Sequence, residues 1–203
     1  MRRRAFIAGG VALTLSLATP ALLRPRTPLD VLSDHGIRLA PSEPFQGRTG
    51  RSAFEHRGHR VTPVASFDLE ALVLSRRNYG RDRGAEVSPV DLALGWGPMS
   101  NPRILSGIPI RQSGRWYRFR IHTLPRISAR EVHRNSSNMH IIPSDGIVSD
   151  ALDEVRDGDV IRMSGLLVDV AGRDGFRWKS SRSRNDTGNG ACELVYAETL
   201  RIG

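Results

Sequence analysis

Ile161-Arg162-Met163-Ser164-Gly165-Leu166-Leu167-Val168-Asp169-Val170 is the stretch on which the reading of the chain turns. Ile161 and Met163 lie in one alternation and Leu166, Val168 and Val170 in the other. The pattern predicts a strand with a bulge at Ser164-Gly165, where the phase slips. A bulged strand bends, so it belongs to a curved sheet. Downstream, Arg173-Asp174-Gly175 reads as a hairpin turn, after which Phe176, Trp178 and Ser180 alternate with Arg177, Lys179 and Ser181. A polar loop from Arg182 to Gly190 leads to a last strand with Leu194, Tyr196, Leu200 and Ile202 on one face.

Working upstream, Phe67, Leu69, Ala71 and Val73 alternate with polar residues and predict a half-buried strand, and Tyr117, Phe119 and Ile121 predict another. Helical signals are short. Ser88-Pro89-Val90-Asp91 has an N-cap, a first-turn proline and an acid ahead of Leu92, Ala93 and Leu94, which predicts a capped helix. Ser128-Ala129-Arg130-Glu131 is a capping box, and Ile147, Val148, Ala151, Leu152 and Val155 fall at helical spacing before Gly158. The expected class is therefore α+β, mainly β. It is a small curved antiparallel sheet or OB-like barrel of about five strands with two or three short helices, a sandwich or open sheet being the alternatives.

With 203 residues and 39% hydrophobic content, the chain suffices for one domain plus a leader. The formal charge is +9, but Arg2, Arg3, Arg4, Arg24 and Arg26 lie in or beside the leader, and all 21 acids lie beyond residue 26. Lys179 is the one lysine, so the arginine skew reads as codon bias, and the charge argues against nucleic acid. A single cysteine, Cys192, excludes an intramolecular disulfide framework. Residues 1–26 have the layout of an export signal. Arg3-Arg4-Ala5-Phe6-Ile7 is twin-arginine-like, and the uncharged run from Ala5 to Leu23 leaves a membrane anchor as the other reading. Residues 27–63 read as a flexible Pro/Arg/Gly-rich arm and 64–203 as the β-rich domain. The expected location is periplasmic or exported in a bacterial envelope, with the membrane touched only through an uncleaved N-terminal segment.

Two groups of residues could carry chemistry. Cys192 would be a nucleophile if a base such as His140 (or His133) held it as thiolate, with Asn138 (or Asp145) orienting the imidazole and amides near Gly190 receiving an oxyanion. That would make a cysteine-dependent hydrolase or transferase. The other reading is a small buried thiol. The second group is Ser180, Ser181, Arg182, Arg184, Asp186, Thr187 and Gly188, whose hydroxyls, arginine forks and turn amides suit a small anionic ligand, against the alternative of a solvated inter-strand loop. No HExxH or CxxC pattern points to a metal, and the sequence leaves the cofactor content open. Glu198 falls on the apolar face of the last strand, either as a buried carboxylate or exposed by twist. The leading expectation is a domain that binds a ligand or an envelope partner through the Ser180–Ala191 loop and the Asn138–His140 segment.

Ser88–Ser100, Ser113–Arg120, Ser136–Asp145 and Ser180–Tyr196 together resemble a widespread family of bacterial exported or membrane-associated proteins with no assigned activity. The resemblance covers residues 64–203 and implies a discrete domain but no mechanism. Arg156-Asp157-Gly158-Asp159-Val160-Ile161-Arg162 resembles the opening strand of staphylococcal-nuclease-type OB domains. Only the strand-turn pattern matches, so nuclease activity is not implied.

Overall fold

The computed structural model describes residues 38–122, 127–183 and 192–203. The leader, the first part of the arm, and Arg184, Asp186, Thr187 and Gly188 lie outside these residues. The domain is mainly β with a few short helices. Its strands are β1 (Phe45–Gly47), β2 (Phe54–His56), β3 (His59–Asn78), β4 (Val90–Gly95), β5 (Ile110–Ser113), β6 (Trp116–Phe119), β7 (Ser136–Pro143), β8 (Val160–Gly172), β9 (Arg177–Trp178) and β10 (Glu193–Ile202). Its helices are α1 (Pro102–Leu105), α2 (Ala129–Arg134) and α3 (Gly146–Glu154). Among the described residues no helix is long and apolar enough to cross a membrane.

Eight strands form one sheet, more than the five or so expected, and β5 and β6 form a separate two-stranded sheet. The long β3 pairs with β8 from His59 to Leu72 and with β4 from Leu72 to Asn78, both antiparallel. β4 pairs antiparallel with β7, β7 parallel with β10, and β10 antiparallel with β8. The short β1 and β2 add to β3, and β9 adds to β8.

One face of the sheet holds the larger apolar cluster, with Phe67, Leu69 and Val73 of β3, Leu92 and Leu94 of β4, Met139 and Ile141 of β7, and Ile161, Met163 and Leu167 of β8. Helix α3 closes over it with Val148 and Leu152. Its N-cap is Asp145, whose carboxylate accepts from Val148 N at 2.9 Å, satisfying a donor that the first helical turn leaves open. The opposite face carries Val61, Ile142, Leu166, Val168, Val170 and Leu194, edged by Phe176, Trp178 and Tyr196. A third cluster, Met99, Ile108, Ile127 and Val132, joins α1, α2 and the β5–β6 hairpin.

The phase slip in β8 has a different origin from the one expected. β8 runs on without an extra residue, and both its faces are buried, so Met163 and Leu167 serve one cluster while Leu166 and Val168 serve the other. The extra residue opposite Ser164-Gly165 is Glu198 of β10, and Val64 is a second one in β3. The bulge at Glu198 splits the last strand: Leu194 and Tyr196 pack on one face, Leu200 and Ile202 on the other. Glu198 is turned out, with Arg51 at 2.9 Å. Gly165 fits this crowding because a Cβ there would lie 2.0 Å from the Tyr196 carbonyl oxygen.

Two further readings are corrected. Ser88-Pro89-Val90-Asp91 leads into a strand, not a helix, because all six residues of β4 are buried and the alternation that marks a strand is erased. From residue 45 the arm supplies β1, β2 and the start of β3, and it is anchored to the domain at a few points. Ala40 is fully buried, its N–H reaching Ser100 Oγ at 3.0 Å, and Val61 is part of the core. Strands of three residues are too short to show a period. The capping box at Ser128 is formed as read, with both reciprocal bonds.

Candidate functional site

On the face of β4 and β7 away from the larger cluster, alternation puts Asp91, Asn138 and His140 side by side. Asp91 pairs in register with His140, and Ala93 with Asn138. On the other flank Leu194 is level with His140, which brings Cys192 level with Asn138. All four side chains are buried, Asp91 completely.

The hairpin β5–β6 lies over this face. Its two-residue turn, Gly114 and Arg115, has φ of 58° and 70°, the left-handed region that a two-residue hairpin demands and that suits glycine far better than arginine. Arg115 is held there by every part of it. Its N–H donates to Tyr79 Oη at 3.0 Å, and its guanidinium sits 3.8 Å over the Tyr79 ring. Nε and Nη2 donate to the two oxygens of Asp82 at 3.1 and 2.8 Å, and Nη1 donates to Asp91 Oδ1 at 2.8 Å and to the Ser88 carbonyl at 2.9 Å. Burial works to raise the Asp82 carboxyl, but the Arg115 hydrogen bonds and charge outweigh it and hold the group below its usual range.

Asn138 is the centre of the remaining contacts. Its Nδ2 donates to the Arg115 carbonyl at 3.0 Å and approaches Asp91 Oδ2 at 3.4 Å and Cys192 Sγ at 4.0 Å, while its Oδ1 accepts from Gln112 Nε2 at 2.6 Å. Tyr117 Oη contacts Ser136 Oγ at 3.2 Å, and burial pushes that phenol up. His140 Nδ1 stands 2.9 Å from Asp91 Oδ1, within ion-pair range but out of line for a hydrogen bond, and its ring packs 4.6 Å from Trp178. Gln112 Oε1 is likewise buried without a partner. A buried acceptor without a partner, as Gln112 Oε1 is, costs free energy, whereas His140 Nδ1 has the Asp91 carboxylate beside it.

Of the residues singled out from sequence, Asn138, His140 and Cys192 do converge, but not as a relay. Asn138 rather than His140 stands beside the thiol, and His140 faces Asp91 and Trp178. Burial pushes the Cys192 thiol up to about 12, the opposite of what a thiolate nucleophile needs. Ser180, Ser181 and Arg182 are engaged by the fold. Ser180 Oγ accepts from Leu194 N at 3.1 Å, Ser181 Oγ donates to the Ser183 carbonyl at 2.8 Å, and Arg182 pairs with Asp169 at 2.8 Å. They flank the same face, since Ser181 N donates to the Cys192 carbonyl at 3.0 Å.

Sequence reasoning missed Asp91, Gln112 and Arg115. The available signal was Ser113-Gly114-Arg115-Trp116 between two alternating runs, a hairpin turn in which arginine is the anomaly. Among the described residues no group of three histidine, cysteine or acidic side chains could hold a metal ion. Comparisons with protein-family models, curated proteins and solved structures return no match for this chain.

Proposed function

We propose that the protein is a ligand-binding domain of an exported envelope protein, with its site on the β4–β7 face beneath the β5–β6 hairpin. The observation that carries this reading is the convergence of Asp91, Gln112, Arg115, Asn138 and His140 from three segments of the chain, β4, the β5–β6 hairpin and β7, with Gln112 Oε1 left without a partner in a buried place. A network built only for stability would be expected to close its own hydrogen bonds. The ligand is small and polar. The flanking Ser180–Arg182 segment is engaged by the fold, so an anionic group of the ligand reaches Arg182 only by displacing Asp169 from it.

The finer fold reading is an OB-like arrangement. In its support, β3, β4, β7, β8 and β10 pair in the order β3-β4-β7-β10-β8 with a further β8–β3 pairing, β7 and β10 are parallel, and α3 falls between β7 and β8. In OB folds the second and third strands offer the face on which ligands are bound, and here those are β4 and β7.

The thiol-enzyme reading gains no support from a buried cysteine without a basic partner. The test is a thermal-shift panel of phosphate, sulfate, small carboxylates, amides and sugars on wild type, Asn138→Ala and Cys192→Ser. A ligand at a hundred times its Kd stabilises by about 2.7 kcal/mol. The shift disappears in Asn138→Ala and survives in Cys192→Ser. A shift lost only in Cys192→Ser refutes the proposal.

A further inference from the structure

The charge of the chain is segregated in a way that its total conceals. Residues 97–135, inserted between β4 and β7, hold eight arginines and one acid, Glu131, whereas residues 27–96 and 136–203 together hold 17 basic and 20 acidic residues. A domain body of slight negative charge therefore carries a strongly basic insertion. Glu131 offsets only one of these charges, and its carboxylate is tied into the α2 capping box by the Ser128 N–H and Oγ at 2.9 and 2.8 Å. Arg115 is neutralised by Asp82 and Asp91.

Among the described residues, the insertion's other arginines, Arg103, Arg111, Arg118, Arg120, Arg130 and Arg134, are exposed. Alternation turns Ile110, Gln112, Tyr117 and Phe119 inward, the first and last toward the apolar cluster and the middle two onto β7. Arg111, Trp116 and Arg118 share the outward face, with Arg120 following in the same phase. Arg111 is the direct cross-strand partner of Arg118, both exposed, and like charges placed so are destabilising. None of Arg111, Arg118, Arg120, Arg130 and Arg134 enters an ion pair among the described residues. The fold gains nothing from this repulsion, which an anionic surface would relieve.

We infer that the outward face of the β5–β6 hairpin docks the protein on the anionic surface of a lipid bilayer, with Arg111, Arg118 and Arg120 on lipid phosphates and Trp116 at headgroup level. Arginine takes a phosphate with a bidentate fork, and an indole has an apolar body with a polar tip, which suits the boundary between headgroup and acyl chain. A single-stranded nucleic acid would instead call for a row of aromatic platforms, and this face has one indole.

The full chain tests this by co-sedimentation with phosphatidylcholine vesicles made with and without phosphatidylglycerol, the N-terminal arginines being common to wild type and variants so that the difference between them reports the hairpin. The wild type prefers the phosphatidylglycerol vesicles, and added salt erodes the preference. At roughly fivefold per arginine near such a surface, replacing Arg111, Arg118 and Arg120 together by serine weakens that binding on the order of a hundredfold and leaves the circular dichroism unchanged. Replacing the three by lysine restores most of the salt-sensitive part. Equal binding to both vesicle types, or a serine variant as tight as wild type, overturns the inference. So does an oligodeoxythymidine that binds more tightly than the vesicles at equal phosphate concentration.

Discussion

Asp91→Ala removes the one carboxylate on which the buried site depends. Its side chain is fully buried, accepts from Arg115 Nη1 at 2.8 Å and Asn138 Nδ2 at 3.4 Å, and lies 2.9 Å from His140 Nδ1. Breaking a buried ion pair from one side costs about 3–5 kcal/mol, because the other charge stays behind without compensation. Arg115 is not left bare here: it keeps both bonds to Asp82 and the one to the Ser88 carbonyl, and Asp82 is half exposed. The loss therefore falls at the low end, about 3 kcal/mol. For a domain of this size that lowers Tm by about 6–12 °C. Urea unfolding with an unchanged m-value measures the loss directly. A double-mutant cycle with Arg115→Ala isolates the pair, with a coupling of about 1 kcal/mol or more. A loss under about 1 kcal/mol, or strictly additive single variants, would refute the reasoning that Asp91 holds the hairpin turn on the sheet.

Two other perturbations address the frame and the thiol. Gly165→Ala places a Cβ against the Tyr196 carbonyl and the Glu198 N–H, both backbone, so β10 itself must move. Urea unfolding should show a loss of about 3 kcal/mol, and a change within about 0.5 kcal/mol, the range of an ordinary surface substitution, would show that the strands are not so closely apposed. Cys192, raised from 9.0 to about 12 by burial, holds its proton more tightly in the folded protein than in the unfolded chain. The resulting stability is complete below about pH 9 and is lost as pH climbs toward 12, so the advantage of wild type over Cys192→Ala shrinks across that window. Alkylation of the folded protein at neutral pH should be negligible. Fast alkylation there that vanishes in His140→Ala would revive the nucleophile.

How much was legible depends on how each element is buried. β3 and the hairpin after β8 were readable because one side of each meets water at enough positions to leave an alternation, and α2 because its capping box is local chemistry. β4 was misread because Val90–Gly95 is buried on both faces, so only the helix-like Ser-Pro-Val-Asp signature remained visible. β7 passed unseen for a related reason: Ser136, Asn138 and His140 are polar residues in a buried strand, paired by neighbours that no local pattern announces. The site followed the same logic. Asn138, His140 and Cys192 were noticed as residue types, but their partners Asp91, Gln112 and Arg115 come from β4 and the hairpin and are brought in by sheet register alone.

The placement of the site is tested most directly by the side-chain amide resonances of Gln112 and Asn138. They would be assigned through Gln112→Ala and Asn138→Ala and followed by nitrogen-15 NMR while a ligand found in the thermal-shift panel is titrated. Binding on the β4–β7 face shifts both amides in proportion to occupancy, with the Trp178 indole moving alongside His140. A ligand that binds and leaves both amides unmoved while resonances elsewhere shift would contradict the site.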